Sequence, residues 1–232
     1  MHVISVPVRH VDKSTPRTRI INLDLGSTPF AFAAGQAVNL GLHGSSLRKP
    51  YSIASAPWEL ARTATLQVLA QVEDSSSLDP HLELAQPGTL LDLEGPFGTF
   101  ALPESDLPLL FVAGGTGIAP LRSMLIERMA RPMHRPVALI YSARSPEEFA
   151  FRSELDALAT AGRLTTHFTV TRDDAALWPG RRGRIDEALV RQALPSLGSL
   201  CLVCGPPTLV SDSRALLARL GVPAERILSE GY

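Results

Sequence analysis

The sequence predicts an antiparallel β-barrel followed by an α/β domain built on a parallel sheet. Three observations carry this prediction. Up to residue 102, short strand-like runs recur between turn residues with no long helical pattern. Beyond it, apolar runs alternate with helical stretches, which implies a parallel sheet with helices on both faces. Between the two, Pro103-Glu104-Ser105-Asp106-Leu107-Pro108 is polar and punctuated by proline, as domain boundaries are. The 232 residues therefore divide into domains 1–102 and 103–232.

In the first domain the expected strands are 3–11, 18–25, 36–42, 51–55, 65–72 and 89–94. One helix is expected near 78–85, with Ser77 as its cap and Gly88 after its end. In the second, strands are expected at 109–113, 137–142, 164–170, 200–204 and 226–228, and helices at 120–131, 146–161, 185–193 and 208–220. The first of these strands, Leu109 to Ala113, is apolar without alternation and reads as buried on both faces. Gly114, Gly115 and Gly117 follow, and Pro120 suits the first turn of a helix because its missing N–H would have no partner there. A strand, a glycine turn and a helix N-terminus favour a phosphate group, although the pattern is neither G-x-G-x-x-G nor a Walker loop. Ser145-Pro146-Glu147-Glu148 reads as an ordinary helix start, with serine as cap and acids in the first turn. Parallel sheets bind ligands beyond the carboxyl ends of their strands. The glycine turn, Arg144, Arg172 and Gly205-Pro206-Pro207 all follow strand ends and are expected to line one crevice.

A net charge of −1 gives no electrostatic case for nucleic acid or an anionic membrane, so small molecules or proteins are the expected partners. No apolar run approaches the roughly 20 residues that span a bilayer, and Met1 to Pro7 lacks a basic start and a long apolar core, so a cytoplasmic protein is expected. The two cysteines, Cys201 and Cys204, have C-x-x-C spacing, but in a strand residues three apart lie about 10 Å apart on opposite faces. A disulfide needs Cα atoms within about 7 Å. Neither a dithiol centre nor an iron–sulfur cluster is expected, since a cluster normally needs four thiolates.

Three motifs in order resemble one family. Lys49-Pro50-Tyr51-Ser52-Ile53-Ala54-Ser55 is similar to the flavin-binding strand, Gly114 to Pro120 to the pyridine-nucleotide loop, and Cys204-Gly205-Pro206-Pro207 to the nicotinamide loop of the ferredoxin-NADP reductase superfamily. The resemblance covers the whole chain and implies a flavin-binding β-barrel followed by a Rossmann-like NAD(P)-binding domain, with FAD between them. It implies that Tyr51 stacks on the flavin ring and that Ser52 bonds near N5. Lys49 stands where the family normally has a phosphate-holding arginine; it keeps the charge but not the planar fork, and neighbouring Arg48 is a possible substitute. Where the family opens a helix onto the flavin pyrophosphate with a glycine and a serine, this chain has Asp74-Ser75-Ser76-Ser77, whose Ser76 and Ser77 could bind phosphate or simply cap the helix.

The resemblance further implies that Gly114, Gly115, Thr116 and Gly117 seat a nicotinamide dinucleotide's pyrophosphate, Thr116 reaching toward the nicotinamide half. Cys204 would lie beside nicotinamide C4, with Gly205 and Pro206 shaping its turn; by composition alone Cys204 is equally a small buried residue ending a strand. Tyr232 would cover the free flavin face, and Glu230 would stand near the reacting atoms. Arg144, Arg172 and Arg184 would lie near the adenosine 2′-phosphate, which favours NADPH with NADH possible. All basic residues except Lys13 and Lys49 are arginine, which weakens that sign. The implied activity is hydride transfer between NAD(P)H and FAD, with single electrons exchanged with a separate ferredoxin, flavodoxin or oxygenase component. The alternatives are a reductase that releases reduced free flavin and a non-catalytic redox-sensing or regulatory subunit.

Overall fold

The computed structural model describes residues 3–72, 82, 85–132, 135–172 and 178–232. They fall into two units, one of Met1–Leu102 with Arg122–Arg131, the other of Pro103–Leu121 with Pro132–Tyr232.

In the first unit six strands, β1 (Val3–Thr15), β2 (Thr18–Asp24), β3 (Ala37–Leu42), β4 (Lys49–Ser52), β5 (Thr65–Gln71) and β6 (Leu90–Phe97), pair antiparallel in the order β4-β3-β6-β1-β2-β5. The outer strands of that order meet where Ile53 bridges Val68 and the Ala54 N–H donates to Gln67 O at 2.7 Å. The sheet thus closes into a barrel, which removes the unpaired edges an open sheet would present. Its interior is filled by alternating apolar residues such as Val6, Ile21, Leu40, Ile53, Leu66 and Leu91.

A short helix, α1 (Pro57–Thr63), lies between β4 and β5 and was not anticipated. Pro57 opens it and the Glu59 carboxylate accepts the Ala56 N–H at 2.8 Å, both recognised start signals. With fewer than two full turns it shows no periodicity to read. The helix α2 (Ile118–Met129) contributes its Arg122–Met129 part to this unit. There the Arg122 guanidinium, only 5% exposed, donates to both Glu59 carboxylate oxygens at 3.0 and 3.2 Å and to Ala54 O at 2.8 Å. Ser123 Oγ donates to Ser55 O and Trp58 Nε1 to Ile126 O. The helix expected near 78–85 falls on residues of which only Leu82 and Ala85 are described, and Ser76 and Ser77 lie outside the described residues.

The second unit is a parallel sheet of β7 (Leu109–Gly114), β8 (Val137–Ala143), β9 (Thr165–Val170), β10 (Arg181–Arg182), β11 (Leu200–Gly205) and β12 (Ile227–Gly231), ordered β10-β9-β8-β7-β11-β12. The chain runs outward from β7 first one way and then the other, so the switch in strand order falls between β7 and β11. Every residue of β7, β8 and β11 is buried, as the unbroken apolar runs predict. One face packs Leu110, Val112, Ile140 and Val203 against Leu189 and Val190 of α4 (Glu187–Ala193) and Leu217 of α5 (Pro207–Arg219).

Two expectations need correction. The helix expected at 146–161 is split: Pro146–Glu148 forms a single 3-10 turn, and the α-helix, α3, runs only from Arg152 to Thr160. Ser145 caps nothing; its hydroxyl donates to Glu147 Oε2. Between the pieces Phe149 and Ala150 are buried and Phe151 turns left-handed at φ 58°. The Phe149 ring meets Tyr141 and Phe168 edge-on at 5.0 and 4.9 Å, so burial of an aromatic side chain overrides the local start signal. The last strand, expected at 226–228, instead runs through Ser229 and Glu230 to Gly231, because β11 offers it a parallel partner along that length.

Candidate functional site

At the carboxyl ends of β7, β11 and β12 three glycines, Gly114, Gly205 and Gly231, end their strands beside one another. Gly205 is in register with Gly231, and a Cβ on Gly205 would lie 3.1 Å from the Gly114 backbone. A Cβ on Gly117 would come within 2.3 Å of Cys204 O. The loop therefore rests backbone upon backbone, which only glycine permits. Gly115–Gly117 form one 3-10 turn, Gly115 at φ 53°, and lead directly into the 12-residue α2, whose first N–H groups face the loop.

Two tyrosine hydroxyls hold this loop. Tyr232 donates to Gly114 O at 2.9 Å; burial raises its hydroxyl above the ordinary value, with Thr116 and Gly117 beside it working against the rise. Its ring is 57% exposed while the hydroxyl is tucked into the turn. Tyr141, fully buried in β8, donates to Gly115 O at 3.0 Å and accepts the Ala150 N–H at 3.2 Å. Sequence reasoning passed over Tyr141 because, Ser142 apart, its strand is apolar; the one signal was its place two residues before that strand's end.

Cys204 stands in register with Ala113 on one side and Glu230 on the other. Burial pushes its thiol up to about 12, with the nearby Glu230 charge adding to the rise. It is therefore a neutral thiol at any physiological pH. Burial likewise raises the Glu230 carboxyl above the ordinary range, so it holds a proton more readily than a surface glutamate. Cys201 and Cys204 are both free and buried. Among the described residues no group of His, Cys, Asp or Glu is arranged to hold a metal ion. Arg144, Arg172 and Arg184 are exposed at the same carboxyl end, beyond β8, β9 and β10. The Arg172 N–H donates to Arg144 O at 2.8 Å, and Gly183, beside Arg184, donates to Val170 O. The structure thus brings the glycine turn, Cys204, Gly205, Pro206, Glu230 and Tyr232 together, with the three arginines along the sheet's far strands.

In the barrel, Lys49, Pro50, Tyr51 and Ser52 form β4. Tyr51 packs against the barrel core yet is only half-buried, so part of its ring surface is left for a planar group, and burial pushes its hydroxyl up to about 12. Arg48 is committed elsewhere: it pairs with Asp92 at 3.4 Å. Asp92 is buried and also accepts from Ser5 at 2.7 Å and from the Gly44 N–H at 3.3 Å, with His43 Nδ1 at 2.8 Å. These bonds hold its carboxyl well below the usual carboxylate range.

The residues fit a dinucleotide at the glycine turn, because Gly115–Gly117 lead straight into the N-terminus of α2 and a Cβ at Gly115 would meet only the hydroxyl of the exposed Tyr232, at 3.1 Å. They fit a flavin at β4 through the half-exposed Tyr51 ring with Lys49 two residues before it. The oxidoreductase NAD-binding domain family matches residues 111–215. The chain is 36% identical over 219 residues to ferredoxin–NADP reductase B of Sorangium cellulosum, covering 88% of this chain and 86% of that protein. It is 28% identical over 233 residues to the ferredoxin–NAD(P)(+) reductase component of the naphthalene 1,2-dioxygenase/salicylate 5-hydroxylase systems of Ralstonia, covering 99% of this chain and 69% of that one. Its fold is similar, with a TM-score of 0.82 at 23% identity, to a ferredoxin NADP+ reductase from Neisseria gonorrhoeae solved with FAD and NADP, over 100% of this chain and 99% of the other. The barrel, the glycine turn at the β7/β11 switch and the likeness over nearly full length to a ferredoxin–NADP reductase together place this chain in the ferredoxin-NADP reductase superfamily.

Proposed function

We propose that this chain is an NAD(P)H-dependent flavoprotein oxidoreductase that exchanges electrons with a separate redox protein, a ferredoxin, a flavodoxin or the ferredoxin of an oxygenase system. The observation that carries it is the close grouping, at one end of the parallel sheet, of the glycine turn and the Cys204–Glu230 neighbours. The names of the Sorangium and Ralstonia relatives support the ferredoxin partner. When bound, the flavin supplies a hydride acceptor that can also hand on electrons one at a time.

The chain's residues do the rest. Tyr51 offers a ring face to the flavin, Ser52 a hydroxyl near N5, and Lys49 a charge for the phosphates. Gly115, Thr116 and Gly117 present backbone N–H groups to the dinucleotide pyrophosphate, and Gly205 and Pro206 turn the chain away so that the nicotinamide can approach Cys204 closely. Cys204, small and uncharged, gives the ring an apolar wall without donating a proton. Glu230, with its raised carboxyl, can hold or release a proton beside the reacting atoms. Tyr232, whose hydroxyl rests on Gly114 O, moves aside when the dinucleotide enters the turn. Arg144, Arg172 and Arg184 favour NADPH over NADH, and a cytoplasmic setting belongs to the same reading. Domain 1–102 carries the flavin and domain 103–232 the nucleotide.

The test is steady-state turnover of the FAD-loaded protein with NADPH and a ferredoxin. Rapid ferredoxin reduction is expected; turnover that requires added free flavin and ignores ferredoxin would overturn the reading. A second reading, a reductase that releases reduced flavin, is favoured by one observation: the Arg48 guanidinium is paired with Asp92, so it does not stand in for the arginine that Lys49 replaces. Flavin that stays with the protein through gel filtration would count against it.

A further inference from the structure

We propose that Tyr141 is a positioning residue for the nucleotide loop: its buried hydroxyl fixes the Gly115–Thr116 peptide so that the Thr116 N–H faces the dinucleotide pyrophosphate. This rests on the reading of the glycine turn given above and adds a residue that reading does not use.

The strand Val137–Ala143 is buried throughout and, Ser142 apart, apolar, so phenylalanine would satisfy packing at Tyr141 without carrying a hydroxyl into the core. A buried hydroxyl costs stability unless it is bonded. This one is doubly bonded. The Ala150 N–H occupies a lone pair, so the single proton of the hydroxyl is left for Gly115 O. The ring cannot swing away, because Phe149 lies edge-on at 5.0 Å and Phe168 at 6.2 Å. The Gly115 carbonyl, which also accepts the Ile118 N–H of its own turn, is thereby tied to the sheet, in a residue whose φ of 53° suits glycine and few others. In a trans peptide the C=O and the next N–H point opposite ways. The Thr116 N–H must then point away from Tyr141.

On the far side of the loop stands the exposed Tyr232 hydroxyl, which donates to Gly114 O at 2.9 Å and lies 3.1 Å from where a Gly115 Cβ would be. Two phenol hydroxyls thus flank the loop: Tyr141 bonds the Gly115 carbonyl from within the sheet, and Tyr232 bonds the Gly114 carbonyl from outside. Tyr232 is exposed and replaceable; Tyr141 is not.

The test is Tyr141→Phe in the flavin-loaded protein. The expected result is about a tenfold rise in the KM for NADPH and in the inhibition constant of ADP, which carries a pyrophosphate. The inhibition constant of adenosine 2′-phosphate, which lacks one, and kcat at saturating NADPH should move less than twofold. Equal weakening of both inhibitors, or no weakening of ADP, would overturn the proposal. Should the variant fail to fold, the unaltered protein still decides: ADP should shift the Thr116 amide resonance and adenosine 2′-phosphate should not, and a Thr116 amide that ADP leaves unmoved refutes the assignment. If NADPH fails to reduce the flavin of the unaltered protein at all, the reading of the loop itself has failed; if it reduces it normally while ADP binding ignores the substitution, only the role of Tyr141 has.

Discussion

Gly117 is the residue on which the glycine turn depends most directly. A methyl group there would press on Cys204 O at 2.3 Å, and backbone yields far less than the tip of a side chain. Gly117→Ala should destabilise the second unit by about 1–3 kcal/mol and weaken NADPH binding at least tenfold. Thermal unfolding and titration calorimetry read the two effects. Gly117 was legible in the sequence as part of a phosphate-type turn, but the reason it must be glycine was not, since it lies in a carbonyl nearly 90 residues further on. Glu230 makes a similar point. Two residues before the last, it reads as a frayed tail, and it becomes a half-buried carboxyl only because β12 pairs with β11 beyond Leu228. Glu230→Gln should lower kcat about tenfold with little change in KM and remove a titration step above the ordinary carboxylate range from the kcat profile. An unchanged profile would take Glu230 out of the proton path.

At the scale of elements, short or interrupted pieces were the ones that the sequence did not disclose. α1 has its start signals in Pro57 and Glu59, but too few residues to show a period. The 146–161 stretch shows a period and a cap, yet splits because Phe149 is buried among aromatic rings contributed by β8 and β9. Long-range partners decided the second. The same holds for Arg122, which follows Pro120 as an ordinary helical residue and yet grips Glu59 through a buried, two-pronged contact. Arg122→Ala leaves Glu59 and Ala54 O without that donor and should cost about 3 kcal/mol by chemical denaturation. Arg122→Lys should recover only part of this, because an ammonium cannot match both carboxylate oxygens at once.

In the barrel, Asp92 ties β6 to Ser5 of β1 and to His43 and Arg48 near β3 and β4. Its folded carboxyl is held far below the unfolded value of about 3.9. A depressed pKa stabilises above the unfolded value, and that contribution drains away as pH falls below about 4 toward the folded one. Unfolding free energies of the native protein and Asp92→Asn should therefore differ most above pH of about 5 and converge in acid. A constant gap across that range would contradict this account of Asp92.

For the molecule as a whole, the two-part architecture was legible because its signals are collective: six alternating strands in one part and a strand–helix alternation in the other. The strand order of the barrel and the β7/β11 switch were not, since nothing local records which strands lie side by side. The motif residues Tyr51, Ser52, Gly114–Gly117 and Cys204–Pro206 were legible through their resemblance to a family, and the supporting residues Tyr141, Arg122 and Asp92 were not, since each looks like its neighbours until its partner is known. Among the described residues no helix is long and apolar enough to cross a membrane. The central claim is that this chain passes electrons from a pyridine nucleotide to a flavin that it holds. The most direct measurement is anaerobic mixing of the FAD-loaded protein with stoichiometric NADPH while the yellow flavin absorbance is followed. The account predicts rapid bleaching that air restores, slower with NADH; a protein that takes up no flavin, or whose flavin stays yellow with either nucleotide, would contradict it.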